Sequence, residues 1–175
     1  MSCFLEEEAG KQTAVMIFKR DQLQYDIDNY AYIEGSVLPR ETETHNRHMV
    51  QDVGQSGNKD RVTRVLDLEV ARVREILYPY TRHDVHKKEL TDLLKAPGTY
   101  GIILTLPTTF SQTTLNLLEK LIHEYLVCRV IEDWMSITNP MKAEAWAIKA
   151  ENAESSIRTS INTRLNKVRK KLHPW

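Results

Sequence analysis

Apolar positions recur in this chain with two periods, and the period changes along its length. Between residues 19 and 32, Leu23, Ile27, Tyr30 and Ala31 step by helical intervals, which predicts a helix from about Lys19 to Tyr32. Gly35 and Pro39 follow and are expected to stop it. A second helical stripe joins Val62, Val65, Leu66, Val73, Ile76 and Leu77. Asn58 stands where a capping side chain is wanted, Asp60 suits the positive end of the helix dipole, and Pro79 closes the segment. Asp60–Arg64 and Glu69–Arg72 are spaced to pair on its outer face. At residues 99–107 the pattern becomes "TYGIILTLP", a β-type run stopped by Pro107. A strand needs a partner, and residues 81–90 or 36–53 are where this reading seeks it.

The C-terminal third returns to the helical period. Ser111 is an N-cap candidate for a helix to about Ile137, along which Leu115, Leu118, Ile122, Leu126 or Tyr125, Val130, and Trp134 or Asp133 step by three and four. Asn139 then caps a new helix with Pro140 at its first position, where the missing N–H costs nothing. That helix is expected to run to about Lys171, turning Trp146, Ala150, Ala153, Ile157, Ile161, Leu165 and Val168 inward. Trp134 and Trp146 flank the Asn-Pro corner at similar distances, so an antiparallel hairpin predicts a packed Trp–Trp pair. Residues 1–14 are polar and expected to fray. Residues 36–58 read as a loop with one helical turn near Asn46–Val53, and 81–97 as a polar excursion or short helix. The fold class that results is mainly α: a single domain over 1–175, built as a helical bundle with a long C-terminal helical hairpin (111–171) and a small β element.

Composition agrees with a core of real size. The chain has 175 residues, 41% hydrophobic and 27% charged, and a domain near that length buries about 70% of its unfolded surface. Apolar runs such as "GIILTL" are far too short to span a bilayer, so no membrane partner is expected. The start "MSCFLEEEAG" has an acidic cluster and no basic region, unlike a secretory signal. Cys3 and Cys128 make no disulfide framework, which points to a reducing, cytoplasmic setting. The formal net charge is zero, yet it is unevenly spread. Residues 1–34 hold seven acids against three bases, whereas Arg158 to the end holds six bases and no acid. Separation of this kind guides association with a partner or with another subunit.

Chemistry-bearing patterns are sparse. His45/His48 and His83/His86 share an i,i+3 spacing and, with Asp52 or Asp84, contain metal-ligand types, but neither sits in a metal fingerprint, so solvated surface histidines are expected. His123, inside a helix, is expected to satisfy a local hydrogen bond. Cys128 falls on the apolar side of the same helix and reads as an inert core thiol. No GxSxG, SxxK or glycine-rich phosphate loop occurs, "GQSG" at 54–57 included, so neither an enzyme nor a cofactor is expected. The end "RTSINTRLNKVRKKLHPW" is more informative. Arg164, Lys167, Lys170 and Lys171 share one helix face and form the candidate interaction surface, for another protein's acidic face or for nucleic acid. Its serines, threonines and asparagines make the helix intrinsically weak, as suits an element on which something packs.

The run from Leu115, "LNLLEKLIHEYLVCRVIEDWMSITNPMKAEAWAIKAENAESSIRTSINTRL", resembles the C-terminal helices of small, mostly α-helical phage head–tail connector (adaptor) proteins, with "VTRVLDLEVARVREILYPYT" as a companion helix. The likeness covers 110–172 and, more loosely, 58–80; "GIILTL" and residues 81–97 lie outside it. It implies a ring-forming assembly component without enzymatic activity, which self-associates or joins other phage structural proteins in a virion or in the cytoplasm of a bacterial host. The competing expectation is a nucleic-acid-binding accessory protein using the basic C-terminal helix.

Overall fold

Regular structure begins earlier than the polarity of the first residues leads one to expect. The computed structural model describes residues 3–8, 10–39, 44–78, 80–81 and 97–162. Within the segment expected to fray lie a strand β1 (Cys3–Glu8) and the start of β2 (Lys11–Lys19), paired antiparallel. Gly10 lies between them at φ 80°, a left-handed conformation that costs glycine nothing. In β2 the side chains of Gln12, Ala14, Met16 and Phe18 point into the protein, while Lys11, Ile17 and Lys19 face out. Gln12 is tolerated inside because its amide donates to the Pro107 carbonyl at 3.0 Å.

β3 (Thr99–Pro107) pairs antiparallel with β2 from Lys11↔Pro107 to Lys19↔Thr99, giving a three-stranded sheet in the order β1-β2-β3. The partner of "GIILTL" is therefore the N-terminal segment, not residues 36–53. The other place considered, 81–90, lies outside the described residues except for Thr81. Tyr100, Ile102, Leu104 and Leu106 face inward from β3. Its far edge is partly covered: Arg74 donates to the Gly101 carbonyl at 2.6 Å, and the Thr105 N–H to the Tyr80 carbonyl at 2.9 Å.

Helix α1 (Arg20–Val37) follows β2 without a loop and buries Leu23, Ile27, Ala31 and Gly35. Gly35 does not stop it. A Cβ there would stand 2.5 Å from Gln51 Cγ and 3.1 Å from the Arg47 carbonyl oxygen, so the glycine lets the next helix approach closely. That helix, α2 (Thr44–Gln51), and the 3-10 turn Asp52–Gly54 occupy much of the expected loop and place Val50 and Val53 in the core. α3 (Lys59–Ile76) buries Val62, Leu66, Val70 and Val73, as its stripe implies, with Glu69 among them. Asn58 precedes it, but its amide donates to the Asp52 carbonyl at 2.8 Å rather than capping through its side chain.

α4 (Gln112–Thr138) and α5 (Pro140–Ile161) start and turn where the sequence places them. Ser111 and Asn139 stand at the N-cap positions without side-chain cap bonds. The segment of α5 expected beyond residue 162 is outside the described residues. α4 packs against α1, α2, α3 and α5, which explains why it is buried well beyond one stripe, Val127, Cys128, Ile131 and Met135 included. The protein is thus mainly helical with a small antiparallel sheet, and among the described residues one apolar cluster runs from the sheet through α1, α2, α3, α4 and α5.

Candidate interaction surface

A polar site is built where α3, α4 and α5 converge. Tyr125 O–H donates to Glu69 Oε2 at 2.7 Å, and Arg72 donates to Glu69 Oε1 at 2.8 Å. Arg129 lies over the Tyr125 ring at 5.4 Å, donates to Glu132 at 2.8 Å and stands 3.6 Å from Glu154. Glu154 also accepts from Arg158 at 2.8 Å and 3.1 Å. Burial, and then Glu69, push the Tyr125 hydroxyl up to about 12. Burial works against the Arg129 charge, but Glu132 and Tyr125 outweigh it and hold its pKa above the usual value. Arg72, Tyr125, Arg129, Glu154 and Arg158 line a groove of about 490 Å³. Its three guanidinium groups are each committed to a carboxylate of the same chain, so the site's chemistry is that of a charged clamp between helices.

His123 makes no local bond of the kind expected. Its Nε2 meets Asp26 Oδ2 at 2.7 Å, tying α4 to α1, and Gln22 donates to the same carboxylate at 3.2 and 3.3 Å. These residues border an open groove of about 450 Å³ with Lys19 and Lys120. Cys128 is fully buried, and burial followed by the neighbouring Glu124 pushes its thiol up to about 12, leaving it protonated and unreactive.

Both tryptophans of the corner are in the core, but they do not form the expected pair. Trp146 packs edge-on to Tyr30 of α1, with ring centroids 5.3 Å apart and planes at 67°, and Lys149 Nζ lies 3.7 Å from the indole centroid. Trp134 instead donates its indole N–H to the Val50 carbonyl of α2 at 2.9 Å. Equal distances from a corner set two rings at one height but leave their directions around the helix free. Here the indole on α4 turns to α2 and the one on α5 to α1. Lys142–Glu34, at 3.4 Å, makes a further tie between α5 and α1.

Of the residues singled out for binding, Arg164, Lys167, Lys170 and Lys171 lie outside the described residues, as do His83, Asp84 and His86. His45 and His48 are exposed on α2. Among the described residues no three His, Cys, Asp or Glu side chains are grouped to hold a metal, and no helix is long and apolar enough to cross a membrane.

Sequence reasoning passed over the outer face of α1. Opposite its buried stripe, Gln22, Tyr25, Asn29, Tyr32 and Ser36 succeed one another at spacings of three, four, three and four, the step of a helix–helix seam. Tyr25 is 67% exposed and Tyr32 62%, with Ile33 and Val37 exposed along one flank. The seam carries no charge. The signal was present in the primary structure, hidden because a search for apolar periodicity follows the buried face and skips Gln, Asn and Ser. Comparison of the chain with protein-family models, curated proteins and solved structures returns no match.

Proposed function

We propose that this protein is a non-enzymatic assembly component, a ring-forming part of the kind represented by phage head–tail connectors, which works through its helix faces. The observation that carries this reading is the outer face of α1: large, neutral and aromatic side chains stand in solvent along four turns of a helix whose other face already completes the core. In this reading α4 and α5 form a helical hairpin, the scaffold of a bundle, and the acidic N-terminal part and basic C-terminal part orient neighbouring subunits. Exposed charge pairs contribute only about 0–1 kcal/mol each, so they select orientation while apolar contacts hold the assembly.

Light-scattering mass across protein concentration and salt tests it. The mass is expected to rise with concentration, and a strict monomer up to about 1 mM would refute the proposal, since that excludes contacts even of millimolar strength.

A nucleic-acid role is the second reading. It is favoured by Arg158, which opens the run of six terminal bases and shares a groove with Arg72 and Arg129. Against it stand the carboxylate partners of all three. Duplex binding is therefore expected to be weak or absent at physiological salt. Tight, steeply salt-dependent binding, abolished by changing Lys167, Arg169, Lys170 and Lys171 to Ala, would reverse the ranking.

A further inference from the structure

Resting on the assembly reading above, we infer that the outer face of α1 is a pairing contact of that assembly, separate from the head-to-tail contact that closes a ring, and that its occupant is α1 of a second copy, packed antiparallel across a twofold axis near Asn29. The 3-4-3-4 spacing of Gln22, Tyr25, Asn29, Tyr32 and Ser36 draws a nearly straight seam about 21 Å long on an α-helix. Reversed onto itself, this seam is self-matching. Gln22 comes level with Ser36 of the second copy, Tyr25 within one residue rise (about 1.5 Å) of Tyr32, and Asn29 level with Asn29, where two amides can exchange hydrogen bonds on the axis and set the register.

Charge decides between a second copy and an unlike partner. Around a twofold axis a surface meets its own image, so charges grouped at its centre would repel; this seam has none between Gln22 and Ser36. The acids beside it are already engaged within the chain: Asp26 with His123, and Asp28 with the Gln24 amide at 2.8 Å. The two ends are complementary instead. α2 packs beside the C-terminal half of α1, where Arg47 donates to the Leu38 carbonyl at 2.9 Å. Exposed Asp21 lies on that same side of the seam, so the reversal carries it toward Arg47 of the second copy.

The size is that of a modest contact. Exposed tyrosines offer on the order of 100 Å² each. With Ile33 and Val37, two copies reach roughly 1,000 Å², the lower limit for a specific interface. The dimer is accordingly a weak one, of micromolar strength, suited to a subunit that assembles further.

The experiment uses the full chain with Cys3→Ser, leaving the buried Cys128 in place. Asn29→Cys is expected to cross-link to itself on mild oxidation, giving a covalent dimer, whereas Gln22→Cys is not. Tyr25→Glu and Tyr32→Lys, both exposed and so harmless to folding by circular dichroism, are each expected to weaken dimerisation in sedimentation velocity about tenfold or more. Mixing them restores a mixed dimer, because position 25 of one copy faces position 32 of the other. Self-cross-linking of Gln22→Cys would mean a parallel pair and overturn the inference. An oligomer indifferent to both tyrosine variants would overturn it too while leaving the assembly reading intact. A monomer at every concentration would overturn both.

Discussion

Replacing Tyr125 by Phe removes one oxygen from the junction of α3 and α4, and the structure sets what that oxygen is worth. The hydroxyl donates at 2.7 Å to Glu69, whose side chain is 5% exposed. A hydrogen bond to an ionised group contributes about 1.5–3 kcal/mol. Phe at the same site keeps the ring contacts, including the cation–π geometry with Arg129, so no cavity term is added. Glu69 retains Arg72 on its other oxygen, which keeps its charge from being abandoned. Tyr125→Phe is therefore expected to cost about 2 kcal/mol. Glu69→Gln is expected to cost less, about 1 kcal/mol or below, because it preserves an acceptor for the tyrosine and gives up an ion pair whose Arg72 partner is half exposed. Urea denaturation followed by circular dichroism measures both, with an unchanged m-value confirming that stability alone has moved. The reasoning is refuted if Tyr125→Phe costs under about 0.5 kcal/mol while Glu69→Gln costs more, for then the ion pair and not the buried hydroxyl holds the junction.

Trp146→Ala is expected to cost about 3–5 kcal/mol by the same measurement, since it empties a fully buried site and removes the ring against Tyr30. Under 1 kcal/mol would show that α5 is not anchored there. Alkaline stability should follow the buried tyrosines. Tyr125 is raised to about 12 and Tyr100 is raised as well, both chiefly by burial. The native state thus binds these protons more tightly than the unfolded chain does. Their contribution is fully present below pH 10 and lost as pH climbs through 12, with Tyr125 alone accounting for about 2–3 kcal/mol. Absorbance at the tyrosinate band should rise for the buried rings together with loss of ellipticity, and early, complete ionisation of a folded protein would contradict this. Cys128, raised to about 12, should resist iodoacetamide at pH 8 in a Cys3→Ser background and react on unfolding in urea. Labelling of the native protein at a free-thiol rate would show that the site opens.

The sequence by itself determined every element whose reason is local. α3, the start of α4 and the Asn139-Pro140 corner are set by the spacing of Val62, Leu66 and Val73, by Leu115, Leu118 and Ile122, and by the preference of proline for a helix's first turn. The strand character of "GIILTL" was equally plain. Tertiary structure decided what depends on residues far apart in the chain. β2 pairs with β3 across about ninety positions, and Lys11–Lys19 mixes apolar residues on both faces, so no alternation announced it. Gly35 looked like a stop because helix propensity counts its backbone entropy, whereas the close approach of α2 exploits its missing side chain. The partners of Trp134 and Trp146, and the bond from His123 to Asp26, follow from how helices are rotated about their axes. Periodicity identifies which side of a helix is buried; which neighbour lies there, and which exposed side is left for a partner, is settled only when all the helices compete for the same core.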